Sequence, residues 1–381
     1  MSDPFDADEL WFARLLAEVP TPGVLERGGV SPARAVPARR RRYRPLVVAG
    51  GLALLVGVSG GVGLGLTRAG GGDHAGAPAT GAGSPPPRVQ EALAGDDIHQ
   101  VVVLFGGRGP GGALMADTWV WDGRGWSERH PLHSPTPRRG AAMSSDPAGG
   151  GVLLVGGIGS DGAAMPDNWR WDGSDWALLS PTGPPGPRGG ALLAQDPVNG
   201  RELLFGGEGG TGGRSSTWTW DGAAWIRERP SDSPPDCQGS SMAYDDAFRR
   251  VVLTTGKGCT APGAAGATWS WDGRTWSRLS PLASPPPGTA PSMAYDDATQ
   301  LLVLTVPDTH GCGLVTWTWD TTGWALHADA GSPVGPASVV HDPGSRKPLL
   351  VSAAGQTWRW TDGGWTIASG TTPTPGTCPT P

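Results

Sequence analysis

The stretch Trp119-Val-Trp-Asp-Gly-Arg-Gly-Trp126 decides the fold, because close copies of it recur five more times along the chain. Successive copies begin 50, 49, 51, 48 and 41 residues apart, and together they hold 18 of the 19 tryptophans. The first tryptophans of the copies are Trp119, Trp169, Trp218, Trp269, Trp317 and Trp358. A period near 50 residues is typical of an architecture that repeats one supersecondary unit.

A second series of residues repeats in phase with the tryptophans. An aspartate stands before an apolar run in every copy, at Asp96, Asp146, Asp196, Asp245, Asp296 and Asp342. Such an aspartate favours a tight turn, because its side chain accepts a hydrogen bond from the backbone two residues on. The Trp-x-Trp pattern predicts a strand with both indoles on one face, and the Asp-Gly that usually follows predicts a hairpin. Each copy therefore predicts four short antiparallel strands, which we call A to D in chain order.

Six such units predict an all-β fold, a six-bladed β-propeller over residues 90–369 with one sheet per blade. A propeller closes on itself, so it leaves no long sheet edge open. The tryptophan-rich faces are expected to pack blade against blade. An open β-solenoid built from the same repeats is the alternative fold.

The repeat resembles that of the kelch and galactose-oxidase central-domain family. The resemblance rests on the apolar run that ends in Gly106-Gly107, on the Trp-x-Trp-Asp-Gly stretch and on connectors such as Arg138-Arg-Gly140. It covers roughly residues 90–369 and implies a kelch-like propeller. The later copies depart from the pattern: copies four to six lose the Gly-Gly pair, and copy six keeps only Gly355-Gln356 between strands B and C.

The repeats contain no motif that indicates a catalytic or a metal site. Galactose oxidases hold copper with tyrosine and histidine side chains, but the only tyrosines beyond the apolar segment are Tyr244 and Tyr295, at a strand position that indicates core packing. His130 and His133 lie in a proline-rich connector without the helical spacing of metal ligands, so a solvated loop is predicted there. The sequence predicts no metal and no cofactor, and it gives no positive sign of an enzyme.

The long loops between strands B and C, and the connectors from D to the next A, are the predicted binding surface. They vary in length and charge, whereas the A–B and C–D turns are short and nearly uniform, and variable loops on a rigid scaffold commonly carry function. The predicted ligand-binding residues are Arg108, Asp161, Arg214, Lys257, Asp308 and His310. The short loop of blade six predicts a gap in this rim through which a partner reaches the central channel.

Residues 46–67 carry no charge and are long enough to span a bilayer as a helix. The basic stretch Arg39–Arg44 precedes them, and this charge bias predicts a cytoplasmic N-terminus with the propeller outside. The chain is therefore predicted to be a single-pass cell-membrane protein with a cytoplasmic segment 1–45, a Gly/Ala/Pro-rich tether 68–89 and a tail 370–381. A cleaved signal peptide is the alternative, although 45 residues ahead of the apolar run exceed an ordinary leader.

Residues 5–19 predict one amphipathic helix, with Trp11 and Leu15 on its apolar side. The helix is interpreted either as a docking segment for a cytoplasmic partner or as a short helix on the membrane surface. The formal net charge of −6 gives no basis for nucleic-acid binding.

All four cysteines follow the apolar segment, and an even number in an exported domain favours disulfides. Cys237 and Cys259 stand symmetrically about the A–B turn of blade four, so a hairpin places them opposite each other. Cys312 is then left to pair with Cys378.

Together these features predict a membrane-anchored binding or sensing module that presents its propeller to a protein or a glycan outside the cell. An extracytoplasmic glycan-active enzyme is one alternative. A transmembrane regulator that holds a cytoplasmic partner is the other.

Overall fold

The computed structural model describes residues 82–209, 215–259, 261–288, 290–308, 313–327, 333, 335–361 and 363–370. The predicted cytoplasmic segment and membrane helix fall outside these ranges, as do most of the tether, the tail beyond residue 370, Arg214, His310, Cys312 and Cys378. Within the described ranges no helix is long and apolar enough to cross a membrane. These ranges hold strands, turns and one turn of 3-10 helix, Pro110–Gly112.

The repeats form six antiparallel sheets, each with its four strands in the order A-B-C-D, which confirms the prediction of an all-β, six-bladed propeller. Blade one comprises β2 (Ala92–Asp96), β3 (Val101–Arg108), β4 (Leu114–Trp121) and β5 (Trp126–Arg129), with β1 (Ala82–Gly83) added outside β5. Blade two comprises β6 (Ala142–Asp146), β7 (Gly151–Val155), β8 (Asn168–Trp171) and β9 (Trp176–Leu179). Blade three comprises β10 (Leu192–Asp196), β11 (Arg201–Phe205), β12 (Thr217–Trp220) and β13 (Trp225–Arg227).

The second half of the ring repeats the pattern. Blade four comprises β14 (Ser241–Asp245), β15 (Arg250–Thr254), β16 (Thr268–Trp271) and β17 (Trp276–Leu279). Blade five comprises β18 (Ser292–Asp296), β19 (Leu301–Pro307), β20 (Leu314–Trp319) and β21 (Trp324–His327). Blade six comprises β22 (Ala337–Asp342), β23 (Lys347–Ser352), β24 (Thr357–Thr361) and β25 (Gly364–Ser369).

Each sheet has an apolar centre that the sequence pattern dictates. Strand B supplies the aliphatic core; Leu153 and Leu154 of β7, for example, are fully buried. The second tryptophan of strand C lies directly opposite the first residue of strand D, as Trp121 does opposite Trp126. The two indoles of this pair have ring centroids between 5.1 and 5.7 Å apart in all six blades. Such tilted aromatic pairs stabilise a sheet beyond their buried area.

The hydrogen bonds that the turn aspartates accept confirm the predicted turns. The Asp96 carboxylate accepts backbone hydrogen bonds from Ile98 and His99, both 3.1 Å long, and so fixes the A–B turn of blade one. In the C–D turn, Asp122 accepts from Arg124 at 2.9 Å and from the next backbone N–H at 3.0 Å. Gly123 has a φ of 88°, a left-handed conformation that glycine adopts without steric cost.

Six equivalent hydrogen bonds close the ring. The tryptophan of strand D donates its indole N–H to the side-chain oxygen of the residue just before the first tryptophan of strand C in the preceding blade. The pairs are Trp176–Thr118, Trp225–Asn168, Trp276–Thr217, Trp324–Thr268, Trp365–Thr316 and Trp126–Thr357. The last pair joins blade one to blade six, so the propeller is closed and the open solenoid is excluded.

Residues 82–89 pack on the propeller, although the sequence assigns them to the tether. Strand β1 pairs with β5 and covers the outer edge of blade one. The Arg88 N–H donates to the carbonyl of Ala353 in blade six at 3.0 Å, and Val89 pairs with Arg108. This stretch therefore spans the junction between the first and last blades.

Buried arginines join the connectors of blades one to three to the blades that they enter. Arg88 and Arg138 each make two bonds of 2.6 to 2.8 Å to an aspartate at the start of strand C, Asp117 and Asp167 respectively. Each also donates to the carbonyl of the first glycine of the Gly-Gly pair, Gly106 and Gly156 respectively, at 2.9 Å. Arg188 is buried at the same position in blade three.

Blade four has a disulfide in place of this ion pair. The Cys237–Cys259 bond is present, as predicted. Cys237 precedes strand A by four residues, which is the position of the buried arginine in blades one to three. Ala267 stands where the first two blades have the partner aspartate. The disulfide thus ties the connector to its blade where the ion pair is missing.

Candidate functional site

Arg108 lies at the end of a strand, not in the exposed loop expected from the sequence. It is the last residue of β3 and is 9% exposed. Its backbone N–H and C=O pair with Val89 at 2.8 and 2.9 Å, because the Val89 stretch extends the sheet at this point. A charge reversal at Arg108 would therefore disturb the fold as well as the surface.

The other described members of the predicted binding set lie in loops of different blades. Asp161 and Lys257 are exposed, and Asp308 is half-buried. The Asp161 carboxylate accepts from the Ala163 N–H at 2.9 Å, and that of Asp308 accepts from the Gly313 N–H at 3.0 Å. Both carboxylates thus stabilise their own loops, and no two of the described residues share a blade.

The gap expected in the rim at blade six is occupied by the chain itself. The stretch Pro85–Val89 crosses the short B–C loop, and the Pro85 carbonyl lies against Gly355, where an added Cβ would be 2.6 Å from that oxygen. A cavity of about 150 Å³ remains between this stretch and blades five and six. That volume is below the usual range of ligand pockets.

The central channel is the larger cavity, with a volume of about 440 Å³. The innermost strands of all six blades line it, and many of the lining residues have small side chains. Ala94, Ala194, Ala243 and Ala294 occupy the same position in four of these strands. The volume falls within the range that small-molecule sites occupy in proteins.

Polar side chains gather at one end of the channel, on the side of the A–B turns. The residues there, which we call the channel mouth, are Asp97, Ser145, Gln195, Tyr244, Asp246, Asp297 and His341. Every blade contributes at least one of them. The opposite end of the cavity has Glu91 as its charged lining residue.

Hydrogen bonds between blades orient the groups of the channel mouth. The Gln195 amide of blade three donates to the Asp97 carboxylate of blade one at 3.0 Å. The Asp97 N–H donates to the Ser145 hydroxyl at 3.2 Å. In blade five, Asp297 accepts from Nε of the exposed Arg346 at 2.7 Å. The functional groups are thus held in place before any ligand arrives.

Acidic groups lie close together at the channel mouth near blades four and five. Burial, followed by the neighbouring carboxylates Asp245 and Asp246, raises the pKa of the Tyr295 hydroxyl to about 12. Burial also raises the pKa of Asp245 to about 6. A ligand that offers hydrogen-bond donors is therefore favoured at this end of the channel.

Among the described residues, no three His, Cys, Asp or Glu side chains lie close enough together to hold a metal ion. The carboxylates of the channel mouth are spread around its circumference on blades one, four and five. Carboxylates on these blades can form hydrogen bonds with a ligand that is wide enough to reach across the channel mouth.

Sequence reasoning missed the channel mouth, although a signal was present. The residue after the turn aspartate is a second aspartate in blades one, four and five, as in Asp96-Asp97, and a proline in the other three. The first aspartate is held by the turn, so the second is free of that role. Only the closed ring brings the three second aspartates to one opening.

No protein-family model matches this chain, and no curated protein matches it. Solved structures do match its fold. One is the structure of YjhT, with a TM-score of 0.51 and 15% identity over 74% of this chain and 98% of that one. Another is a mutant Aleuria aurantia lectin in complex with Fucα1-6GlcNAc, with a TM-score of 0.50 and 12% identity over 74% of this chain and 96% of that one. At these identities the likeness is one of fold.

Proposed function

We propose that this protein is a membrane-anchored, extracytoplasmic binding module that takes a glycan at the channel mouth. The observation that carries the proposal is the gathering of polar side chains from all six blades at one end of a preformed cavity of about 440 Å³. Small-molecule sites of this volume rely on a few precisely placed polar groups for orientation and specificity.

The chemistry of the channel mouth favours a ligand with many hydroxyl groups. Asp97, Asp246 and Asp297 accept hydrogen bonds, whereas Gln195 and Tyr244 also donate them. Asp97 already accepts from Gln195, and Asp297 accepts from Arg346, whose positive charge partly offsets that of the carboxylate. A sugar both donates and accepts, so it matches such a mixed set. The complex of the Aleuria aurantia lectin is one case of a propeller of this fold with a sugar bound.

Exposure outside the cell rests on the sequence and on the disulfide. The uncharged residues 46–67 and the preceding arginines predict the anchor and its direction. The Cys237–Cys259 bond supports an oxidising location for the propeller, because structural disulfides persist there and are rare in the cytosol. We also propose that the repeat is of the kelch type.

Binding at the channel mouth is tested by neutralising its carboxylates. Full-length protein should bind a subset of an array of bacterial and host glycans, and the triple variant Asp97→Asn/Asp246→Asn/Asp297→Asn should bind those glycans at least about tenfold more weakly. The affinity falls because each substitution removes a charge-assisted hydrogen bond between a carboxylate and the glycan. Affinity is measured by calorimetry with the strongest glycan from the array.

The control set lies on the other face. Asp161→Asn and Lys257→Glu change exposed loop residues of the predicted B–C surface, and they should leave the affinity unchanged. Loss of binding in this set, with the triple variant unaffected, would move the site to the B–C loops. Chemical turnover of the glycan would replace the binding module by an enzyme, and binding of a basic protein instead of any glycan would change the ligand class.

The predicted orientation has its own test. Protease added to intact cells should remove the propeller and spare a fragment that contains residues 1–45, because the basic stretch before residue 46 is retained inside. A propeller that resists protease in intact cells but not in lysed cells would contradict this topology.

A further inference from the structure

Glu202 is a buried acid at a position that every other blade fills with an apolar residue. It is the second residue of strand B in blade three, lies opposite Trp220 and is 4% exposed. The equivalent residues are Val102, Val152, Val251, Leu302 and Pro348. A carboxyl group costs free energy in such a place, so packing alone does not account for it.

Blade two carries a matching departure on the facing strand. Ser144 of β6 is 8% exposed, and its hydroxyl is close enough to the Glu202 carboxyl to lower the pKa of that group. The other blades have Ala94, Ala194, Ala243, Ala294 and Val340 at this position. At these two positions, therefore, one of the six interfaces between blades has a polar pair where the other five have apolar residues.

The surroundings of this pair disfavour a negative charge. Oε2 of Glu202 is buried and has no hydrogen-bond partner among the described residues. Three carboxylates act on it: Asp146 from β6, Asp196 from β10 and Asp97 from the A–B turn of blade one. All three make ionisation of Glu202 less favourable.

The cation at this interface is already engaged. Arg170 of β8 faces blade three and donates to the Asp146 carboxylate at 3.0 Å and to the Gly222 carbonyl at 3.3 Å. The remaining strand against Glu202, β12, contributes the uncharged Trp220. Ionised Glu202 would thus be buried in an interface that contains several acids and whose arginine is already engaged with Asp146.

We propose that Glu202 and Ser144 form a proton-dependent contact between blades two and three, closed while Glu202 is protonated and loosened when it loses its proton to solvent. Deprotonation replaces a neutral acid by a carboxylate, and separation of the blades admits the water that the charge requires.

The direction of the pH effect follows from the environment. Burial raises the pKa of Glu202 well above the usual value of 4.5; the Ser144 hydroxyl opposes this rise, and the neighbouring carboxylates add to it. A folded-state pKa above the unfolded one gives stability that is greatest below the unfolded pKa and is lost as pH rises through the folded pKa. The contact therefore closes in acid and loosens towards alkaline pH.

The contact lies directly behind the channel mouth. Gln195 pairs with Glu202 across strands A and B of blade three and donates to Asp97 on the other side of the mouth. Loosening of blade three would shift Gln195 and with it the ligand site. This last link rests on the proposed function, but the contact itself does not.

Hydrogen exchange of full-length wild type and Glu202→Gln tests the proposal without any ligand. Peptides from β6 and β11 are compared between about pH 5 and 9 after correction for intrinsic rates, with β18 and β19 of blade five as the internal reference. We expect the opening constant at β6 and β11 to rise in wild type, relative to Glu202→Gln, by up to about tenfold per pH unit. The reference peptides should be the same in both proteins.

Two further variants complete the test. Glu202→Val reproduces the apolar residue of the other blades and should be independent of pH at β6 and β11, with a higher Tm than wild type at neutral pH. Glu128→Gln on the outer strand β5 should keep the wild-type pH dependence. Equal pH dependence at β6 and β11 in wild type, Glu202→Gln and Glu202→Val would overturn the proposal, as would loosening that is uniform over all blades.

Discussion

Replacement of Arg138 by alanine is expected to lower the free energy of unfolding of the propeller by about 3–5 kcal/mol, the usual cost of breaking a buried ion pair. The Arg138 guanidinium is fully buried and makes two bonds to Asp167, at 2.7 and 2.8 Å. It also donates to the carbonyl of Gly156 at 2.9 Å and to that of Thr136 at 3.0 Å. Truncation leaves the buried Gly156 carbonyl without its donor and the half-buried Asp167 carboxylate without its counter-charge. Urea unfolding followed by tryptophan fluorescence measures the loss.

The pH dependence of this loss has a definite sign. Burial by itself raises the pKa of Asp167, but the hydrogen bonds from Arg138 and Trp169 outweigh it and hold the pKa below 3.8. An acid with a depressed folded-state pKa contributes stability above its unfolded pKa and loses that contribution as pH falls through the folded value. The difference between wild type and Arg138→Ala should therefore shrink below about pH 4.

Arg124→Ala is the matched control, because Arg124 is an exposed arginine in a C–D turn. Its effect should stay within about 0.5 kcal/mol, as is usual for exposed positions. Equal stability of the Arg138 and Arg124 variants would contradict the role assigned to the buried arginines.

Removal of the Cys237–Cys259 disulfide is expected to cost about 3 kcal/mol, given the 22 residues that separate the two cysteines. The bond holds the connector of blade four where the ion pair of blades one and two is missing. The variant Cys237→Ser/Cys259→Ser should therefore unfold at a lower temperature, and hydrogen exchange should increase first in β14 and β15, the strands between the cysteines.

A reductant provides the control in a Cys312→Ser/Cys378→Ser background, which leaves one disulfide to act on. Reductant should lower the Tm of this protein and should have no effect once Cys237 and Cys259 are also replaced. An unchanged Tm on reduction would show that the bond does not support blade four.

Most of the fold could be predicted from the sequence, because its main determinants are local and repeated. The Trp-x-Trp pattern and the Asp-Gly turns specify strands and hairpins within a dozen residues. The Cys237–Cys259 bond could be predicted from its symmetry about one hairpin. Closure of the ring, however, depends on contacts such as Trp126 with Thr357, which are 231 residues apart.

The candidate site was harder to predict, because it is assembled from positions about 50 residues apart. Arg108 follows a Gly-Gly pair and looks like a loop residue, yet pairing with Val89 makes it part of a buried strand. Asp97 and Asp246 look like ordinary turn residues until the ring brings them to one opening. Glu202 stands out only when the equivalent positions of strand B are compared across the six blades.

The central claim, a glycan site at the channel mouth, is tested most directly by a crystal structure of the protein with the strongest glycan from the array. The account predicts sugar density at the A–B end of the channel, within hydrogen-bond distance of Asp97 and Asp246. Sugar bound beside Lys257 on the opposite face, with the channel mouth unchanged, would contradict it.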